Sequence, residues 1–183
     1  MAAPFKFAWK REEHYDEDCD ATFLRVDWDV LLDKTRRLSG NPACAWRGGY
    51  HAGGRHIVRR VEIGEQGDSW LVRIPKLRGL PEAENWTSKR QFTMESEIAT
   101  MKYIATSTKI PVPKVFAYDL HISGNPVKAP YLLMECIKGN MLYDIGGPGV
   151  LTAQKLQQMN KSIAWIQVCT APLSPSIGTP GHV

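Results

Sequence analysis

Two β-like runs, HIVRRVEI at 56–63 and SWLVRIP at 69–75, are separated only by GEQGD. Spacing this short, with glycine and aspartate between the runs, predicts an antiparallel hairpin. Alternation then assigns the side chains. In the first run Ile57, Val61 and Ile63 share a face with Arg59, while His56, Val58, Arg60 and Glu62 take the other. In the second, Trp70, Val72 and Ile74 turn towards the core and Leu71 and Arg73 to the opposite side.

The hairpin opens a longer order. After a loop at 76–88, KRQFTMESEIATMKYIAT repeats apolar residues at helical spacing, which predicts a helix from about Lys89 to Thr106, ended by the prolines of IPVP. Two more strands follow, KVFAYDL at 114–120 and YLLMECI at 131–137, joined by the turn formers of HISGNPVKAP. The expected order is strand, strand, helix, strand, strand. Upstream, DWDVLLDKTRRL from Asp27 suits a short helix, acidic at its start and basic at its end. Before it, EEHYDEDCD has six carboxylates in nine positions and reads as a solvated or disordered lead-in over 1–26. A first compact segment is expected over 27–139 and a further segment over 140–183. There Thr152 can cap a helix running to about 168, with Leu156, Met159, Ile163 and Ile166 on one stripe.

With 183 residues, 43% apolar and 23% charged, the chain is of ordinary globular composition. Its net charge of +4 permits an anionic partner but is far from the concentrated basic footprint of a dedicated DNA binder. The scattered cysteines Cys19, Cys44, Cys136 and Cys169 show neither zinc-ligand spacing nor a disulfide framework, as suits reduced thiols inside a cell. No apolar run reaches membrane-span length, and MAAPFKFAWKR lacks a signal-peptide core, so a cytoplasmic protein is expected.

The candidate chemistry begins at GGYHAGGRH, 48–56. Backbone N–H groups in a glycine turn can approach phosphate oxygens because no Cβ intervenes, and a fixed cation can then neutralise them. Arg73 is that cation, with Leu71 on its face able to cover an adenine. Glu97 lies on a helical stripe with Met94, Met101 and Ile104. A carboxylate among methionines needs a cationic partner, and Arg73 is the expected one. Glu95 aligns with Ile98 and Lys102 and ranks second.

In order along the chain, GGRHIVRRVEI, SWLVRIP, ESEIATMKYI, IPVPKVFAYD and PYLLMECIKG resemble the amino-terminal lobe of the aminoglycoside phosphotransferase and choline kinase-like family, especially its fungal branch, over about Asp27 to Ala171. The resemblance implies an α+β fold: a protein-kinase-like small lobe, a twisted antiparallel sheet with one packed helix, followed by the first helices of a larger lobe. It implies ATP as the ligand, with magnesium. Gly53 and Gly54 would cover the phosphates, and Val58 and Leu71 would sandwich the base. Arg73 stands at the phosphate-contacting position and Glu97 at that of its helix partner. Met134 would lie at the back of the adenine pocket, with the Glu135 carbonyl and the Ile137 amide on the base edge. The labels that follow are transferase, kinase, phosphotransferase and ATP-binding.

In that family the catalytic His-x-Asp loop, with an Asn five residues on, and the magnesium ligands lie beyond the 152–168 helix. The final TAPLSPSIGTPGHV carries no acid, and His14-Tyr15-Asp16 precedes the glycines and is followed by Ala21 where Asn is needed. No catalytic or metal residue is therefore assigned, and weak nucleotide binding is the most expected of this polypeptide. The alternative is a non-catalytic interaction module docking a protein, or itself, through Leu156, Met159, Ile163 and Ile166. A nucleic-acid hairpin using Arg55, His56, Arg59 and Arg60 is disfavoured, because no aromatic platform interleaves with them.

Overall fold

The computed structural model describes residues 17–65, 68–77, 86–139 and 146–170. Its elements are α1 (Glu17–Arg25), α2 (Trp28–Ser39), β1 (Cys44–Ala52), β2 (His56–Ile63), β3 (Asp68–Pro75), α3 (Ser88–Ser107), β4 (Val115–Asp119), β5 (Tyr131–Glu135) and α4 (Ala153–Thr170), with a single 3-10 turn at Pro148–Val150. Among the described residues the chain is thus α+β, with four α-helices and one five-stranded sheet. The strands run in the order β1-β2-β3-β5-β4, every neighbouring pair antiparallel. Among the described residues two compact units separate, one running from Glu17 to Lys138, the other from Gly139 on and holding α4.

Local chemistry sets most boundaries. Asp27 caps α2 by accepting from the Val30 N–H at 3.3 Å, and Gly40 closes it in the left-handed region at φ 67°. Thr87 caps α3, and Thr152 caps α4 through the Lys155 N–H at 3.3 Å. The helices expected from Asp27, Lys89 and Thr152 all form, as do the four strands expected at 56–63, 69–75, 114–120 and 131–137, with β5 ending at Glu135.

Two elements depart from expectation. The lead-in is helical from Glu17, and α1 buries Cys19 and Thr22. The Thr22 hydroxyl accepts from the Leu77 N–H at 2.8 Å and donates to the Asp18 carbonyl at 2.6 Å, fastening α1 to the end of β3. Residues 1–16 of the lead-in lie outside the described residues, as do 78–85 of the expected loop. The second departure is β1, which runs through Gly48 and Gly49 and pairs with β2. Its register shifts between Arg47 and His51, a bulge made possible by Gly48 at φ 65°.

The sheet is covered on both faces. Ile57, Val61, Val72, Ile74, Tyr131 and Leu133, all fully buried, lie towards α1, α2 and the segment around Val127. Arg59 shares this face, its guanidinium 5.2, 4.9 and 4.6 Å from the rings of Phe23, Trp28 and Trp46. On the opposite face Leu132 joins Met94, Ile98 and Leu120, so α3 packs only over the β5 end. Val58, Leu71 and Arg73 are left half-buried beside it. Because Ile57 is wholly buried and Leu24 is 82% exposed, Ile57→Ala is expected to destabilise by about 2–5 kcal/mol. Leu24→Ala should change stability by less than about 0.5 kcal/mol; urea unfolding midpoints of the two variants measure the difference.

Candidate functional site

Strand β3 is central, and its register fixes the neighbours of Arg73: Val58 on β2 and Leu132 on β5. Leu71, two residues earlier on the same face, stands between Arg60 and Met134. Because α3 is seated on Leu132 by Met94 and Ile98, the Glu97 carboxylate comes within reach of the strand. Arg73 Nη1 donates to Glu97 Oε1. The side chains are 23% and 39% exposed. A pair so hydrated at one edge stabilises a fold by only about 0.2–1 kcal/mol, so its main consequence is the orientation it gives the guanidinium. Glu97 lies at the edge of the buried stripe rather than in its middle, since Ile98, expected to align with the solvent-reaching Glu95, is 2% exposed and belongs to the core. Glu95 is exposed and accepts from Gln91 Nε2 at 2.9 Å.

The second terminal nitrogen of Arg73, Nη2, is 3.2 Å from His56 Nδ1. A guanidinium has donors only, so Nδ1 accepts and the imidazole proton sits on Nε2. Burial lowers the His56 pKa from 6.5 to about 4, aided by Arg73 and, more weakly, by Arg90 and Arg55, with Glu97 opposing. Sequence alternation puts His56 and Val58 on one face, but nothing in it indicates that the imidazole meets Arg73.

The glycine turn is tied to the same residue. Gly53 N–H donates to the His56 carbonyl at 2.8 Å, and Lys76 N–H to the Arg55 carbonyl at 2.9 Å. Arg90 Nη2 donates to the Lys76 carbonyl at 2.8 Å, joining α3 to the end of β3. A side chain at Gly54 would meet nothing within 4 Å, and one at Gly53 only the His56 carbonyl at 3.7 Å. Packing within this unit therefore does not demand glycine at either position.

At the other end of the face, Met134 packs against the Met94–Leu132 cluster. The Glu135 N–H donates to the Lys114 carbonyl at 2.8 Å, its carboxylate accepts from the Lys114 N–H at 3.1 Å, and Ile137 beyond it is 53% exposed. Of the other cations of the turn and β2, Arg59 is turned into the aromatic face and Arg60 donates to Ser69 and Glu62, so the four do not form one basic surface. In the second unit, Leu156, Ile163 and Ile166 are 38, 47 and 38% exposed and Met159 is partly covered. No helix among the described residues is long and apolar enough to cross a membrane.

No protein-family model matches the chain, and no solved structure matches it. It is similar to altered inheritance of mitochondria protein 9, mitochondrial, of Komagataella phaffii, 28% identical over 152 residues, 81% of this chain and 23% of the relative. Similarity to the protein of that name in Saccharomyces cerevisiae is 36% over 92 residues, half of this chain and 13% of the relative. A subtelomeric hrmA-associated cluster protein of Aspergillus fumigatus is 49% identical over 51 residues, 28% of this chain and 10% of the relative. The chain thus spans less than a quarter of the length of these relatives.

These names correct two expectations. The labels transferase, kinase, phosphotransferase and ATP-binding do not describe the relatives, which are named for mitochondrial inheritance or for a subtelomeric cluster. The cytoplasmic expectation is likewise overturned by relatives named as mitochondrial. It rested on the lack of a signal-peptide core in MAAPFKFAWKR, on the lack of a membrane-span run and on scattered cysteines, none of which excludes a mitochondrial protein.

The lowered His56 pKa has a definite sign. Below 6.5 the unfolded chain takes up a proton that the folded chain refuses until about pH 4. Stability should therefore fall as pH drops from about 6.5 to about 4. His56→Gln is expected to remove that part of the pH dependence, and denaturant midpoints taken across this range for both chains provide the check.

Proposed function

We propose that the five-stranded unit binds the phosphates of a nucleoside triphosphate, with ATP the ligand that the family resemblance implies. In this reading its antiparallel sheet, with one helix packed over the β5 end, serves as a protein-kinase-like small lobe. The observation that carries the reading is the Arg73–Glu97 pair: a guanidinium oriented on a half-covered sheet face, next to a glycine turn that packing does not require to be glycine. In this reading Arg73 clamps phosphate oxygens, and Glu97 holds the guanidinium in place. The turn at Gly53 and Gly54 closes over the phosphates, with the Gly54 N–H towards them and the Gly53 N–H held by the His56 carbonyl at 2.8 Å. Val58 and Leu71 flank the base, Met134 backs it, and the Glu135 carbonyl and Ile137 amide meet its edge. The reading is confined to binding, because the groups brought together are a cation, its carboxylate and a backbone turn.

A mitochondrial setting is part of the proposal, supported by the names of the relatives. A second reading, an interaction module without a nucleotide, is favoured by the apolar residues of α4, where Ile163 and Trp165 are 47% and 43% exposed.

Thermal melting with added ATP separates the two. Ligand at a hundred times its Kd stabilises by about 2.7 kcal/mol, which for a chain of this size raises Tm by roughly 5–10 °C. Arg73→Ala should abolish the rise and Glu97→Ala should reduce it. No rise at millimolar ATP would favour the interaction module. Fluorescent tagging of the full-length gene product tests the setting, with mitochondrial signal expected.

A further inference from the structure

The guanidinium of Arg73 is engaged at both ends, by a carboxylate on Nη1 and by a neutral imidazole on Nη2. The two partners are unequal. A charged acceptor holds a guanidinium more strongly than a neutral one, so an incoming anion displaces the imidazole more easily than the carboxylate. We infer that His56 is a further ligand-binding residue of this site: a phosphate oxygen takes over the Nη2 donor that Nδ1 now occupies, and the released imidazole takes a proton from solvent and pairs with the same phosphate. The inference rests on the phosphate-binding reading above. Only an Nδ1–H bond forms, and no bond in the ligand breaks.

The surrounding charges support the exchange. The groups acting on the imidazole are Arg73 on β3, Glu97 and Arg90 on α3, and Arg55 in the turn. Burial above all keeps the ring neutral, and three cations against one carboxylate add to it. A multivalent phosphate reverses that balance, since an opposite charge within a few ångströms favours the protonated ring. Because the His56 carbonyl holds the Gly53 N–H at 2.8 Å, displacement of this residue also acts on the glycine turn. The ligand class that meets these requirements is an anion able to bridge Arg73 and a protonated His56, such as a di- or triphosphate.

The sign is fixed by the empty-site pKa of about 4. If the bound ring returns to an ordinary imidazole pKa of about 6.5, affinity should be about fourfold tighter at pH 6 than at pH 8, beyond any change due to the ligand's own ionisation. The experiment is calorimetric titration of the full 183-residue chain with sodium tripolyphosphate at pH 6, in two buffers of different ionisation enthalpy, repeated with His56→Gln. Net proton uptake by the natural chain, smaller or absent in His56→Gln, is the expected result. Binding without uptake, or with equal uptake in the variant, would overturn the role of His56 while leaving the phosphate site standing. No binding would overturn both. If the variant does not fold, the assigned His56 ring resonances of the natural chain decide the matter: protonation of the ring on ligand addition at pH 6 supports the role, and a ring that stays neutral overturns it.

Discussion

A cation stands on the half-covered face of the central strand, and most of what the molecule can do follows from how it is held. Arg73 has Val58 and Leu132 as cross-strand neighbours and cannot leave the sheet without breaking the register. Its carboxylate partner arrives on a helix whose position is set by other residues, Met94 and Ile98 against Leu120 and Leu132. Apolar burial is worth roughly 25 cal/mol per Å², whereas a partly hydrated ion pair contributes a fraction of a kilocalorie to about one. Packing therefore positions the pair, and the pair in turn aims the guanidinium.

The sheet carries a second inward arginine, and the contrast between the two is informative. Arg59 lies on the opposite face among Phe23, Trp28 and Trp46, with burial lowering its pKa and Asp29 opposing that shift. Rings hold a guanidinium by their π faces and leave it enclosed, so Arg59 ties α1 and α2 to the sheet. Arg73 is held by hydrogen-bond acceptors at an open edge, and one of these is neutral. One arginine is held against rings; the other can exchange a partner. The same residue type thus serves structure on one face and recognition on the other.

The strand alternation was legible because it is local: Leu71 and Arg73 could be separated from Val72 and Ile74 by counting alone, and Thr152 could be named as a helix cap by a rule that reaches only three residues. The glycine pair in CAWRGGYHA concealed β1, because glycine breaks the β pattern that pairing with β2 and a bulge at Gly48 restore. The carboxylates of EEHYDEDCD concealed α1, whose place depends on Thr22 meeting Leu77, 55 positions away. Of the site, Arg73 and Glu97 could be matched as a buried carboxylate and the nearest fitting cation, but His56 could not.

The sequence by itself determined the order of α2, β2, β3, α3, β4, β5 and α4, the faces to which the residues of β2 and β3 turn and the approximate ends of those three helices, since all of these depend on periods and caps a few residues long. Tertiary structure alone decided that α3 covers only one end of the sheet, that Arg59 is enclosed by rings from α1, α2 and β1, and that the imidazole of His56 completes the set around Arg73. Contacts of that kind join residues tens of positions apart, and they are fixed by how whole elements pack rather than by any pattern within one of them.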